Sequence, residues 1–167
     1  MTSGPQSEPH WLSNEEQQTW RAYMHAATLL EDHLDRQLQR DAGMPHAYYA
    51  LLVLLESAPR RQMRMTELAR SAKITRSRLS HAVSRLEGYG WVRREDCPSD
   101  RRGQNAVLTD KGYEVLSRSA PGHVEAVRSA VFDQLSAEQI TQLGEICSAI
   151  AKGLQPECGG ADLPWLR

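Results

Sequence analysis

Between residues 64 and 92 the chain reads RMTELARSAKITRSRLSHAVSRLEGYGWV, and no other stretch narrows the possible folds as far. Thr66 is placed to cap a helix carrying Leu68, Ala69 and Ala72, and Thr75 to cap a second one running to Tyr89. In each case the hydroxyl can accept from an amide of the first turn that has no partner within the helix. Only Lys73 and Ile74 separate the two, and Gly90 follows as the residue able to take positive φ beyond the second helix. Two short helices joined by so tight a turn make a helix-turn-helix.

The flanks extend the pattern. "WVRRED" and "QNAVLT" surround a Pro/Ser/Asp/Gly loop and read as a two-stranded hairpin anchored by Val92, Val107 and Leu108. Upstream, Ser13 and Glu16 form a capping box that opens a helix to about Arg40, with Trp20, Tyr23, Met24, Ala27, Leu30, Leu34 and Leu38 at helical spacing. Such a helix is long for a globular domain, so it is expected to pack against something beyond its own domain. Gly43 ends it, Pro45 suits a first helical turn, and "HAYYALLVLLES" is a short core helix that stops before Pro59.

Downstream, Thr109 and Asp110 start a long helix reaching Leu135, which Pro121-Gly122 should kink rather than end. Ser136 and Gln139 cap the last helix, with Leu135 and Ile140 as a hydrophobic staple. The expected fold class is mainly α with a small β-hairpin wing. A disordered N-terminus (1–12) precedes an N-terminal helix that belongs to the dimerisation region (13–44). A winged helix-turn-helix domain (45–112), C-terminal dimerisation helices (113–154) and a flexible tail (155–167) follow.

The formal net charge of −1 conceals a segregation: residues 60–102 carry twelve Lys/Arg against five Asp/Glu, and the remainder eight against sixteen. Residues 68–86 hold no acid, whereas an ordinary soluble surface mixes both signs. At about 100° per residue, Leu79, Ala82, Val83 and Leu86 share one arc of the second helix, while Ser77, Ser80, His81, Ser84 and Arg85 share the other. An ordinary solvated helix face is the plainer reading. The missing acid and the adjoining hairpin favour a face that reads DNA.

Small serines let a helix sink into a major groove about 12 Å wide, where Ser, His and Arg meet base edges. Arg76 and Arg78 are placed for phosphate contacts, which fix register without reading sequence. At the hairpin tip, Arg101 and Arg102 are aimed at the minor groove, where the potential is most negative in A·T-rich sequence. Asp100 is positioned to hold the Arg102 guanidinium extended.

These residues resemble the MarR family of bacterial transcriptional regulators, winged helix-turn-helix homodimers. The resemblance rests on Asp100-x-Arg102-Gly103 followed by Leu108-Thr109-x-x-Gly112, on "RLEGYGWVRRE" and on "MTELARSAKITRSRLSHAVSRLE", and it extends over residues 13–154. The stretches "WRAY" and "APGHVEAVR" are similar to the actinobacterial branch.

The resemblance implies that Arg102 enters the minor groove braced by Asp100, while Ser77, Ser80, His81, Ser84 and Arg85 face the major groove. It also implies a small phenolic or carboxylate-bearing effector in a cleft between dimerisation helices and DNA-binding lobe, for which Trp20, Arg21, Tyr23, Met24, His46, Tyr48 and Tyr49 are the candidates. Core packing in the first two helices is the blander role for that set. Some relatives respond to thiol oxidation. Cys97, near Arg93, Arg94 and Arg101, is the candidate here, although a small strand residue is the simpler role.

Dimerisation has its own signal. Ile140, Leu143, Cys147, Ile150 and Leu154 recur three and four apart, the narrow seam of helix-on-helix contact, with intramolecular packing as a second use. A symmetric dimer presents two recognition helices about 34 Å apart, so the expected DNA partner is an inverted-repeat operator in duplex form.

Several functions are disfavoured. Three cysteines without C-x-x-C spacing and six scattered histidines give neither a disulfide framework nor a metal set, and no cofactor is expected. The absence of an apolar run near 18 residues, and of a secretory leader, points to a cytoplasmic protein with no membrane partner. No Gly-rich phosphate loop or paired catalytic carboxylates suggest an enzyme. The competing reading is a winged-helix module whose basic surface meets an acidic protein.

Overall fold

The structure is a computed structural model that describes residues 9–97 and 100–154, with the side chains of residues 100–102 outside the described set. The first helix, α1 (Asn14–Ala42), opens on the expected capping box: Ser13 Oγ accepts from the Glu16 amide at 3.2 Å, and Glu16 Oε2 accepts from the Ser13 amide at 2.7 Å. It ends at Gly43, whose φ of 64° turns its N–H back to the carbonyls of Gln39 and Leu38. Pro45 lies just outside α2 (His46–Glu56) with an extended ψ of 146°, rather than within its first turn. Five of the eleven residues of α2 are buried, which makes it the central helix of the core.

A third strand joins the sheet. β1 (Gln62–Arg64) pairs antiparallel with β3 (Asp100–Leu108), which also pairs with β2 (Val92–Cys97), giving the order β1-β3-β2. A three-residue strand has too few positions to show a period, so its partner defines it. Because α3 (Met65–Ser71) follows β1 without a spacer, Thr66 falls inside the first turn, and Arg64 takes the cap position. The hairpin register sets Val92 against Leu108, Arg94 against Ala106 and Asp96 against Gln104.

Thr75 caps α4 (Arg76–Gly88) as expected, and Gly90 has φ 74°. Thr109 Oγ1 accepts from the Gly112 amide at 3.0 Å to start α5 (Asp110–Ala130), which is continuous through Pro121. This helix stops short of Leu135: Val131 departs from helical geometry, and Phe132–Gln134 forms a 3-10 turn. α6 (Ala137–Leu154) opens on the Ser136/Gln139 box, with bonds of 2.9 and 3.2 Å.

Leu38, Met44, Leu52, Leu55, Leu68, Leu79, Val83 and Leu86 are all almost wholly buried, so α1's end, α2, α3, α4 and the sheet share one core with the start of α5. The burial in α1 is confined to Leu34, Gln37 and Leu38, and α6 buries nothing within the chain. Pro9–Leu12 are exposed and without regular structure; residues 1–8 and 155–167, which complete the expected disordered N-terminus and flexible tail, lie outside the described residues.

Candidate nucleic-acid interface

The turn between α3 and α4 is held by backbone bonds from Ala72, Lys73 and Ile74 to Leu68, Arg70 and Ala69, at 2.9, 3.2 and 3.1 Å. Lys73 bends the chain there with φ 55°, a left-handed conformation that costs a non-glycine residue about 1 kcal/mol. Leu79, Val83 and Leu86 then fix α4 on the core. Arg76, Ser77, Arg78, Ser80, His81, Ser84 and Arg85 are all exposed, so every candidate on this helix is at the surface.

That surface divides into two strips. Ser80, Ser84 and Glu87 lie on the flank facing the wing, where Arg94 of β2 engages all three. The Arg94 amide donates to Glu87 Oε1 at 3.0 Å, and Nη1 reaches Glu87 Oε2 at 2.5 Å. Nη2 donates to the Ser80 carbonyl at 3.0 Å and to Ser84 Oγ at 3.1 Å. Counting about 100° per residue, the direction opposite the core falls on His81, with Ser77 and Arg85 either side.

Arg64, Arg76 and Arg94 line a cavity of about 470 Å³ with Ser80 and Gln104 between α4 and the sheet. Another, of about 550 Å³, continues along α3 past Arg70 and Thr75. Arg64 and Arg70 extend the cationic surface beyond the recognition helix and the wing tip. Their signal was the bulk charge of residues 60–102, which has no direction until the chain folds.

Asp100, Arg101 and Arg102 are in β3 by their backbone, and their side chains lie outside the described residues. Cys97 is buried on β2, and Arg64 Nη2 donates to its Sγ at 3.2 Å. Two of its expected cationic neighbours are engaged with acids: Arg93 with Glu95 and Arg94 with Glu87.

The seven effector candidates do not converge within the chain. Trp20, Arg21, Tyr23 and Met24 are exposed on the first half of α1. His46 stands beside that helix's second half, its Nδ1 2.9 Å from Glu31 Oε1 and its amide donating to Asp35 Oδ1 at 2.8 Å. With a helical rise of about 1.5 Å per residue, Trp20 and Asp35 are about 22 Å apart along the axis.

Tyr49 is buried against the His123 ring at 4.4 Å between centroids, while Tyr48 packs on the core from a half-buried position. Burial raises the Tyr49 hydroxyl above its ordinary pKa; burial, then the charge of His46, lowers that of His123. A cavity of about 740 Å³ opens elsewhere, lined by Asp41, Trp91, Lys111 and Arg118, with Tyr89 stacked on Trp91 at 4.6 Å. Sequence periodicity missed it because its walls come from three separated segments.

On α6, Ile140, Leu143, Cys147, Ile150 and Leu154 are all exposed, as is Ile146. Intramolecular packing, one of their two expected uses, is therefore not what they do. Among the described residues no group of His, Cys, Asp or Glu could hold a metal ion, and no helix is long and apolar enough to cross a membrane.

A helix-turn-helix locked to a β-wing, with acid kept off its outward face, defines a winged helix-turn-helix protein. A model of the MarR family matches residues 42–103. Sco3205, a MarR family transcriptional regulator from Streptomyces coelicolor whose crystal structure is a complex with DNA, is 73% identical over 95% of this chain and 100% of its own, with a TM-score of 0.85. AbsC from the same organism is 40% identical over 87% of this chain and 98% of its own, with a TM-score of 0.82. The regulator PecS of Dickeya dadantii is 33% identical over 89 residues, and the match spans about half of each protein, 53% in both cases. The chain belongs to the MarR family of transcriptional regulators; it is a regulator and not an enzyme.

Proposed function

We propose that this regulator acts as a homodimer that binds an inverted-repeat operator in the cytoplasm, usually as a repressor. The observation that carries the reading is the outward arc of α4, where His81, Ser77 and Arg85 stand opposite the core with no acid among them. Arg76 and Arg78 take phosphates, and Arg102, braced by Asp100, enters the flanking minor groove. The DNA-bound state of Sco3205, at 73% identity, supports it. Residues 45–112 form the reading domain. The exposed apolar residues of α6, with Trp20, Tyr23 and Met24 of α1, supply the dimer surface of 13–44 and 113–154.

Selection of bound sequences from a random duplex pool, followed by salt titration, tests the reading. An inverted repeat bound about 10³-fold more tightly than scrambled duplex is expected. Arg102→Ala should weaken binding and relax preference at A·T flanks, and His81→Ala should change the preferred central bases. Equal affinity for all duplexes refutes the proposal.

An effector reading is favoured by the cavity beside Trp91, where stacked aromatic rings adjoin Lys111 and Arg118, a setting suited to an aromatic carboxylate. Binding there acts by favouring a spacing of the two reading lobes that the operator does not fit. Benzoate should raise the melting temperature and weaken operator binding together.

A further inference from the structure

In the sequence Arg94 is one of the cations near Cys97, whereas in the fold its guanidinium reaches three residues of the recognition helix. From β2 it spans Ser80, Ser84 and Glu87, positions separated by four and three residues and therefore stacked on one flank of α4. Both ends of the contact are stiff. Arg94 lies in a paired strand opposite Ala106, and α4 is anchored by three buried side chains. Arg94 and Glu87 are themselves mostly covered, with side chains 22% and 30% exposed. A planar fork with five donors in fixed directions holds orientation in a way a lysine's point charge does not.

We propose that Arg94 is a positioning residue for DNA specificity: it sets the tilt of the recognition helix against the wing, and so decides whether helix and wing meet one duplex in register. On this reading Ser80 and Ser84 belong to the strut, since the Ser80 carbonyl and the hydroxyls of Ser80 and Ser84 all accept from Arg94 Nη2, at 3.0, 3.5 and 3.1 Å. Base reading narrows to His81, Ser77 and Arg85, on the neighbouring strip. A misplacement of about 1 Å is enough to lose oriented hydrogen bonds to base edges while leaving phosphate attraction, which depends little on direction, almost intact. The proposal rests on the DNA-binding function above.

The test uses the full-length protein with Arg94→Lys, Glu87→Gln and Ser84→Ala, each measured on the selected operator and on scrambled duplex across a salt series. Arg94→Lys keeps the charge but loses the fork, and Glu87→Gln loosens the same strut from a residue that does not face DNA. Both should lower the operator-to-scrambled affinity ratio at least tenfold, evenly across base positions, while scrambled-duplex affinity and salt slope stay within twofold of the parent. A role in general stability would lower both affinities together. Ser84→Ala removes one leg of the strut with little risk to folding and should lower the ratio by a smaller factor.

The inference is overturned if Arg94→Lys and Glu87→Gln keep the parental ratio, or if they reduce both affinities in parallel. It is equally overturned if Ser84→Ala changes the preferred base at one position, which would make Ser84 a reader. A parent that shows no operator preference refutes the proposed function instead, so the two failures are told apart.

Discussion

Replacing Gly112 by alanine should destabilise the protein through a single collision. Gly112 is in the first turn of α5, and a Cβ built there lies 2.1 Å from the Trp91 carbonyl oxygen and 2.8 Å from Leu108 Cδ1. Ordinary carbon–oxygen contact needs about 1 Å more, and the obstacle is backbone at the foot of the wing. Overpacking of this kind costs about 1–3 kcal/mol. The same oxygen accepts from the Thr109 amide at 3.0 Å. Displacing it weakens a hydrogen bond worth about 1 kcal/mol.

Alanine's helix propensity returns at most about 1 kcal/mol, which leaves a loss of about 1–3 kcal/mol. For a chain of this size the melting temperature should fall by about 2–12 °C. The assay is thermal unfolding by circular dichroism at fixed protomer concentration, since the proposed dimer would make the midpoint concentration-dependent. Gly88→Ala is the internal control. It is also helical, has nothing within 4 Å of the added carbon and no positive φ, and should gain about 0.5–1 kcal/mol. A Gly112→Ala protein that melts within 1 °C of the parent, or shifts in the same direction as Gly88→Ala, would refute the collision as the reason for this glycine.

Other perturbations probe the remaining surfaces. Leu143→Asp with Ile150→Asp on α6 should convert the proposed dimer to monomer in sedimentation velocity and abolish operator binding with it. Thr75→Ala removes the hydroxyl that accepts from the Arg78 amide and should cost about 1 kcal/mol, read as a melting temperature lower by about 2–4 °C. His123 has its pKa lowered by burial and by His46. The unfolded chain therefore takes up a proton that the folded chain resists, so stability is complete above the ordinary histidine value of 6.5 and declines as pH falls below it. His123→Gln should flatten that decline in a series of melts from pH 7.5 to 5.

Much of the architecture was legible because it depends on neighbours in sequence. The capping boxes at Ser13 and Ser136, the Thr75 cap and the glycines at 43 and 90 are local geometry, and each is where the residue pattern put it. So is the division of α4 into a core arc and an exposed arc. Local pattern does not suffice where one element is defined by another. β1 exists because β3 offers it an edge, and its presence moves the start of α3 ahead of Thr66. Apolar spacing continues past Val131 toward Leu135, and spacing does not record where the backbone leaves helical angles.

The functional surface divides along the same line. Its chemistry follows from composition: cations gathered in residues 60–102, acid kept out of 68–86, and a winged helix-turn-helix to present them. The assignment of that chemistry to particular side chains does not. Arg94 and Arg93 are adjacent arginines in one strand, yet a strand sends neighbours to opposite faces. One therefore becomes the strut of α4 and the other a surface partner of Glu95. Likewise Gly112 is one glycine of eleven until the Trp91 carbonyl is folded against it. Periodicity and capping are short-range and survive in a one-dimensional pattern, whereas which groups face each other across 7 to 33 residues, as Arg94 faces Glu87 and Cys97 faces Arg64, is settled by packing.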